Sequence, residues 1–298
     1  MPSGQGDRPL VLNLLISLRP GQWTKNLFVF AALVFAERLN DTGAVLRAGV
    51  AFAVFCALSS AIYLVNDVFD RNQDRRHPLK KDRPIASGTI SPALVLTVAA
   101  ILGSVALLVA FALGRPFFTM SVAYVALLSA YSALLKHVVI VDVLTIAGGF
   151  TLRASAGAAA IDVPISHWLL VCTLLLALFI ALSKRRHELT LLSDSATDHR
   201  PILGEYTPYL LDQMISVVTA STLIAYTFYT ISPETTAKFG TELLSLTIPF
   251  PLYGIFRYLY LVHRHDRGGS PAELVINDRP LLVCVALWAL SVIFIIYQ

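Results

Sequence analysis

Asn66-Asp67-Val68-Phe69-Asp70-Arg71-Asn72-Gln73-Asp74 runs off the end of a long apolar segment. Asn66, Asp70 and Asp74 are spaced by four, so on a helix they stack along one face, about 6 Å apart per step, with Asp67 beside them. Oxygen ligands in such an array suit Mg²⁺, which binds through one or two carboxylates together with substrate phosphates. A solvated helix end would account for the acids alone. Lys80, Lys81 and Arg83 follow at once, however, so carboxylates and fixed cations share one short segment. That combination is the chemistry of a metal-bound diphosphate.

Outward from this stretch the chain reads as membrane. Hydrophobic residues make up 56% and charged residues 14% of its 298 positions, and soluble domains carry nearer a quarter charged residues. Mean hydropathy is +0.69. Apolar runs of roughly 20 residues are long enough to cross a bilayer. Nine are expected, near 22–38, 43–65, 92–113, 117–135, 139–160, 167–184, 208–231, 242–262 and 279–297. A short piece from Leu10 to Leu18, set off by Pro20 and Gly21, reads as an interfacial amphipathic lead-in without the features of a signal peptide. These spans use nearly the whole chain, so the expectation is one all-α, polytopic membrane domain over 1–298.

Basic residues orient the spans. The connections after spans 2, 4, 6 and 8 hold Arg71, Arg75, Arg76, Lys80, Lys81, Arg83, Lys136, Lys184, Arg185, Arg186, Arg264 and Arg267. The opposite side holds little beyond Arg38, Arg47, Arg115 and Lys238. The positive-inside rule then puts those richer loops, the acidic motif and the N-terminus in the cytoplasm of a bacterial-type inner membrane, with the C-terminus outside. The net charge of +4 concerns these loops and anionic partners, and no nucleic-acid module is visible. Cys56, Cys172 and Cys284 lie in apolar runs, and no CxxC or HExxH pattern points to zinc.

Three further polar clusters fall on the motif's side. The first is Arg19-Pro20-Gly21-Gln22-Trp23-Thr24-Lys25-Asn26, the second Tyr131 and Lys136 ahead of Asp142, the third Ser183-Lys184-Arg185-Arg186-His187-Glu188. Interfacial anchoring explains the first two singly, and Lys184 with Glu188 is an ordinary i,i+4 helix pair. Their shared side favours function. Arg153 stands apart, about 14 residues into span 5 among glycines and alanines. A charge at that depth must face the bundle interior or a wet cavity, either as a buried hydrogen-bonding group or as a substrate contact.

Taken together, Asn66-Asp67-x-x-Asp70-x-x-x-Asp74, then Arg83-Pro84-Ile85-Ala86-Ser87-Gly88, on nine expected spans, resemble the intramembrane prenyltransferases of the UbiA superfamily over almost the whole chain. The resemblance implies a nine-helix bundle around a central cavity open to the cytosol and to lipid, and Mg²⁺-dependent transfer involving a diphosphate and a polyprenyl chain. Most of that superfamily carries a second acidic array after span 6. Here the position reads Lys184-Arg185-Arg186-His187-Glu188, which favours a phosphate directly. With Leu18-Arg19-Pro20-x-Gln22-Trp23-x-Lys25-Asn26, Asp74-x-x-His77-Pro78-x-Lys80 and Gly149-Phe150-x-Leu152-Arg153-Ala154, it resembles the superfamily's phosphoribosyltransferase branch. That branch takes 5-phosphoribosyl diphosphate (PRPP) as donor and a polyprenyl (decaprenyl) phosphate as acceptor, and its product serves cell-envelope, arabinan-type precursor synthesis.

On that resemblance Asp67, Asp70 and Asp74, with Asn66 assisting, are expected to hold Mg²⁺ on the diphosphate. Lys80, Arg83, Lys136, Lys184 and Arg185 are expected to hold phosphates, and Tyr131 and Glu188 to meet ribose hydroxyls or orient the cations. Arg19 and Lys25 would receive the lipid phosphate. Two other readings stay open: an aromatic or quinone prenyltransferase with a prenyl diphosphate donor, and a non-enzymatic lipid transporter or scaffold. The missing second acidic array disfavours the former, and the intact metal motif disfavours the latter. Oligomers are compatible with the sequence.

Overall fold

The computed structural model describes residues 9–76, 80–164, 166–192, 201–265, 274 and 277–298, and every regular element among them is helical. His77, Pro78 and Arg267, on which the sequence reading drew, lie outside the described residues, as does the Arg264 side chain. In chain order the α-helices are α1 Leu10–Ser17, α2 Ala31–Phe35, α3 Thr42–Phe69, α4 Arg71–Asp74, α5 Pro84–Ser87, α6 Pro92–Leu113 and α7 Arg115–Ala133. They continue as α8 Val141–Ala160, α9 His167–Leu192, α10 Pro208–Ile231, α11 Pro233–Phe239, α12 Pro249–His265 and α13 Arg279–Ile296. Local chemistry starts many of them. Asp41, Ser91, Thr207, Ser232 and Asp278 each accept a backbone N–H of the first turn, and proline follows within two residues at four of the five.

Seven helices among the described residues are long and apolar enough to span a bilayer: α3, α6, α7, α8, α9, α10 and α13. Two of the nine expected spans are broken. The run at 242–262 becomes a 3₁₀ segment, Leu243–Thr247, followed by α12, and this stretch is bent by 105° from α11. The run at 22–38 is an eleven-residue 3₁₀ helix, Pro20–Phe30, followed by the five residues of α2. Runs of 3₁₀ winding beyond three or four residues are uncommon. Tertiary contacts sustain this one.

Those contacts come mainly from α3 and α8. Trp23 Nε1 donates to Ser60 Oγ at 3.0 Å, and Asn26 Nδ2 to Ser59 Oγ at 3.3 Å. Asn26 Oδ1 accepts from Arg153 Nε of α8 at 2.8 Å. The most buried of the long helices, α8, packs against the 3₁₀ segment, α2, α3, α7 and α9. Its small residues, Ala147, Gly149, Ala154, Ala156, Gly157 and Ala160, allow that crowding. At Gly157 a Cβ would lie 1.9 Å from the Val29 carbonyl oxygen. The outward faces of α6, α10 and α13 expose Ile101, Leu108, Val217, Leu290 and Phe294, as a lipid-facing surface requires.

Gly157→Ala therefore forces the 3₁₀ segment off α8. Overpacking of this kind costs about 1–3 kcal/mol or more, and should lower the unfolding temperature in detergent. Gly103→Ala meets only Ala61 Cβ at 3.8 Å and should leave that temperature unchanged or raise it.

Candidate active site

The acidic motif spans a break between two helices. Helix α3 ends at Phe69, Asp70 leaves the helical conformation at ψ 2°, and α4 adds a single turn. The stack of Asn66, Asp70 and Asp74 expected from the four-residue spacing gives way to a different pairing. Asp67 and Asp74 share one cation, Arg83, whose Nη1 lies 3.1 Å from Asp67 Oδ1 and 2.7 Å from Asp74 Oδ2. Arg19 also pairs with Asp67 Oδ1, and Lys80 Nζ stands 3.8 Å from Asp74 Oδ1. Asp70 turns the other way, to Lys136 Nζ at 3.6 Å. Both Asp67 and Asp74 are buried, and Asn66, on α3 beside Asp67, is half-buried.

Arg83 reaches its partners because the α5 segment is stapled to α4. Arg71 Nε donates to the Ile85 carbonyl at 3.1 Å and Arg75 Nε to the Ala86 carbonyl at 2.8 Å. Arg19 reaches Asp67 from a left-handed backbone conformation, φ 54° and ψ 60°, with its guanidinium over the Tyr63 ring. A cavity of about 320 Å³ opens here, lined in part by Asn13, Ser17, Arg19, Asp67 and Arg83. The Arg19 expected to serve the lipid phosphate beside Lys25 thus belongs, by contact, to the acidic motif.

A second ionic cluster sits where α7, α8 and α9 meet. Arg185, 2% exposed, donates from Nε to Asp142 Oδ2 at 2.9 Å and from Nη1 to Glu188 Oε2 at 2.6 Å. Its Nη2 is 3.3 Å from the Tyr131 hydroxyl, and Lys184 Nζ is 3.8 Å from Glu188 Oε1. Tyr206, from the α9–α10 connection, donates to Asp142 Oδ1 at 2.7 Å and accepts the Ile140 N–H at 2.8 Å. Burial first, and then the bond to Asp142, pushes the Tyr206 phenol up to about 12, so it remains a protonated donor throughout the neutral range. The end of α7 touches both clusters, since Tyr131 meets Arg185 and Lys136, five residues on, meets Asp70.

Arg153 forms a third group. Its Nε bonds Asn26, its Nη2 donates to Tyr124 Oη at 2.7 Å, and its guanidinium lies over the rings of Tyr124 and Phe150 at 4.7 and 5.0 Å. These partners are neutral, so the positive charge remains unbalanced. Lys25 lies in the same region. Among the described residues no carboxylate pairs with it, and the charges that act on it are those of Lys184, Arg153 and Arg19. Asp142, Tyr124 and Tyr206 completed these networks without having been assigned roles from sequence. Asp142 had a signal, a carboxylate opening an apolar run. Tyr206 had none.

The donor set is oxygen-rich and hard, which fits Mg²⁺. A guanidinium nitrogen bridges Asp67 and Asp74, so a cation is already accommodated between these two carboxylates. Among the described residues no three His, Cys, Asp or Glu side chains converge tightly enough to hold a metal ion alone.

Residues 26–277 match the UbiA prenyltransferase family. The chain belongs to that family. This UbiA-family chain is 32% identical to the decaprenyl-phosphate phosphoribosyltransferase of Corynebacterium glutamicum, over 98% of its own length and 89% of that protein. It is 31% identical to the enzyme of the same name from Mycolicibacterium smegmatis, over 96% and 93% of the two chains. Among solved structures, a UbiA homolog from Archaeoglobus fulgidus bound to DMAPP and Mg²⁺ superposes with a TM-score of 0.73 at 18% identity, covering 95% of this chain and 99% of that one. The protein is an integral membrane enzyme, a transferase with the all-helical UbiA fold.

Arg153→Leu removes two charge-assisted bonds, each worth about 1.5–3 kcal/mol, and should lower the unfolding temperature in detergent by several degrees. Arg153→Lys, which can reach one partner at a time, should recover only part of the loss.

Proposed function

We propose that this enzyme transfers the 5-phosphoribosyl group of PRPP to a polyprenyl phosphate, of decaprenyl type, with release of diphosphate. One observation carries the reading: four cations, Arg19, Lys80, Arg83 and Lys136, converge on the three carboxylates of one motif. A second cationic group, Lys184 with Arg185, stands where most of the superfamily has a second acidic array. The names of the relatives, matched over nearly the full length, point the same way.

In this reading Asp67, Asp70 and Asp74, with Asn66, hold Mg²⁺. When bound, the ion screens the diphosphate and stabilises its charge on departure. The chain's own groups do the rest. Carboxylates now paired with Arg83, Lys80 and Lys136 exchange partners on donor binding, which frees those cations for phosphate oxygens. Lys184, with Glu188 and Tyr131, meets the 5-phosphate and ribose, while Arg185 is held rigid by Asp142. Lys25, in the field of the Lys184, Arg153 and Arg19 charges, receives the lipid phosphate. An oxygen of that phosphate, ionised near neutral pH, attacks C1 of ribose, and the C1–O bond to diphosphate breaks. No general base is needed, so catalysis rests on positioning and electrostatics.

The membrane arrangement in this reading is a single domain of nine crossings. The 3₁₀ segment and α2 form the first, because eleven residues rising about 2.0 Å each and five rising about 1.5 Å reach roughly 30 Å, the hydrocarbon thickness. The site faces the cytoplasm, where PRPP is soluble, with the N-terminus inside and the C-terminus outside an inner membrane.

Labelled PRPP and polyprenyl phosphate, incubated with the purified enzyme, should give a lipid-extractable, acid-labile ribose product. Asp70→Asn, Asp74→Asn, or chelation of divalent ions should abolish its formation. Asp70→Asn, at a part-exposed position, should do so with little effect on unfolding temperature, whereas Asp74→Asn, at a buried ion pair, should lower that temperature as well. Full activity in either variant or in EDTA would remove the metal assignment.

PRPP with Mg²⁺ should also raise the unfolding temperature more than geranylgeranyl diphosphate with Mg²⁺, since the better ligand of the folded state stabilises it more. The reverse ranking would favour a prenyl diphosphate donor.

A further inference from the structure

The connection between α7 and α8 carries Lys136 and ends in an unusual turn. Ile140 has φ 69° and ψ −42°, and Val141 N–H donates to the Val139 carbonyl at 2.7 Å, closing a three-residue turn of the rare hand. A β-branched residue at positive φ is strained, and such a conformation persists only where its surroundings hold it. Backbone bonds from Asp142 N–H to the Val138 carbonyl and from Leu144 N–H to the Ile140 carbonyl, both at 3.0 Å, help to hold it, and the side-chain contribution is one hydroxyl. Tyr206 Oη accepts the Ile140 N–H at 2.8 Å and donates to Asp142 Oδ1 at 2.7 Å. The 3₁₀ segments Leu135–His137 and Pro201–Glu205 pack against each other just beside it. On one side of the turn, four residues back, Lys136 is held against Asp70. On the other, Asp142, with no exposed surface, orients Arg185.

We propose that Tyr206 is a positioning residue, whose hydroxyl clamps the Ile140 turn and thereby sets Lys136 at the anion site. The clamp itself rests on the geometry. Its effect on anion binding rests on the phosphate-transfer reading above. A phenol suits the task because it accepts from the backbone and donates to the carboxylate at once, and phenylalanine fills the same space without doing either.

Two measurements separate these levels. In Tyr206→Phe, hydrogen exchange followed by mass spectrometry should quicken about tenfold or more at the amides of 138–142, with little change in distant helices. Unchanged exchange there would overturn the clamp. For anion binding the probe is inorganic pyrophosphate with Mg²⁺, titrated onto the full-length detergent-purified protein. Tyr206→Phe and Lys136→Ala should each weaken it about tenfold, and the double variant should be no more than about twofold weaker than the worse single one, because both changes remove the same interaction. Losses that multiply would overturn action through Lys136. Ile140→Gly relieves the strain, and added to Tyr206→Phe it should restore much of the binding; a purely structural role for the ring would show no such rescue. If the wild type fails to bind Mg²⁺-pyrophosphate, the phosphate reading falls, and the exchange result alone decides the clamp.

Discussion

An ionised side chain in or against hydrocarbon must find a counter-charge or a dense set of hydrogen bonds, and that constraint organises one end of this bundle. Arg83 lies between Asp67 and Asp74, and Arg185 between Asp142 and Glu188. Arg185, fully buried, could not be placed there without carboxylates nearby, while the half-buried Arg83 compensates two carboxylates that are themselves buried. The same constraint is met differently at Arg153, where an amide, a phenol and two aromatic faces satisfy the guanidinium without neutralising it. The end of the bundle therefore combines ion pairs between neighbouring side chains with a positive region around Lys25 and Arg153.

Close packing makes those pairings reachable. The small residues of α8 let the 3₁₀ segment approach until the Val29 carbonyl meets Gly157. That approach carries Asn26 to Arg153 and Trp23 to Ser60, and delivers Arg19 to Asp67 at the head of the segment. On the far side of the bundle, Arg47 donates to the terminal carbonyls Ala160 and Leu113, where the negative ends of α8 and α6 favour a cation. One helix of small residues thus ties the acidic motif, the buried arginine and the opposite membrane face into one frame.

Much of this was legible in the chain. The run at 92–113 is the helix Pro92–Leu113, and that at 208–231 is Pro208–Ile231, because apolarity, serine or threonine caps and proline are properties of neighbouring residues. The motif's side-chain types were legible too, since carboxylates beside lysines and arginines are read directly from the chain. The runs at 22–38 and 242–262 were apolar enough to read as spans, yet hydropathy does not distinguish a straight α-helix from a 3₁₀ segment or a bent pair.

What the sequence by itself determined is membrane residence, the family's acidic motif, and the kinds of charge available at one end of the bundle. The tertiary structure decided which charge meets which. The spacing of Asn66, Asp70 and Asp74 suggested one face of one helix, but the break at Asp70 set Asp67 and Asp74 on Arg83 and sent Asp70 to Lys136. Arg19 pairs with a residue 48 positions away, and Tyr206 with one 64 positions away. The reason is physical. Apolarity is additive along the chain and can be summed from sequence, whereas an ion pair depends on a few ångströms between side chains that only the packing of distant helices brings together.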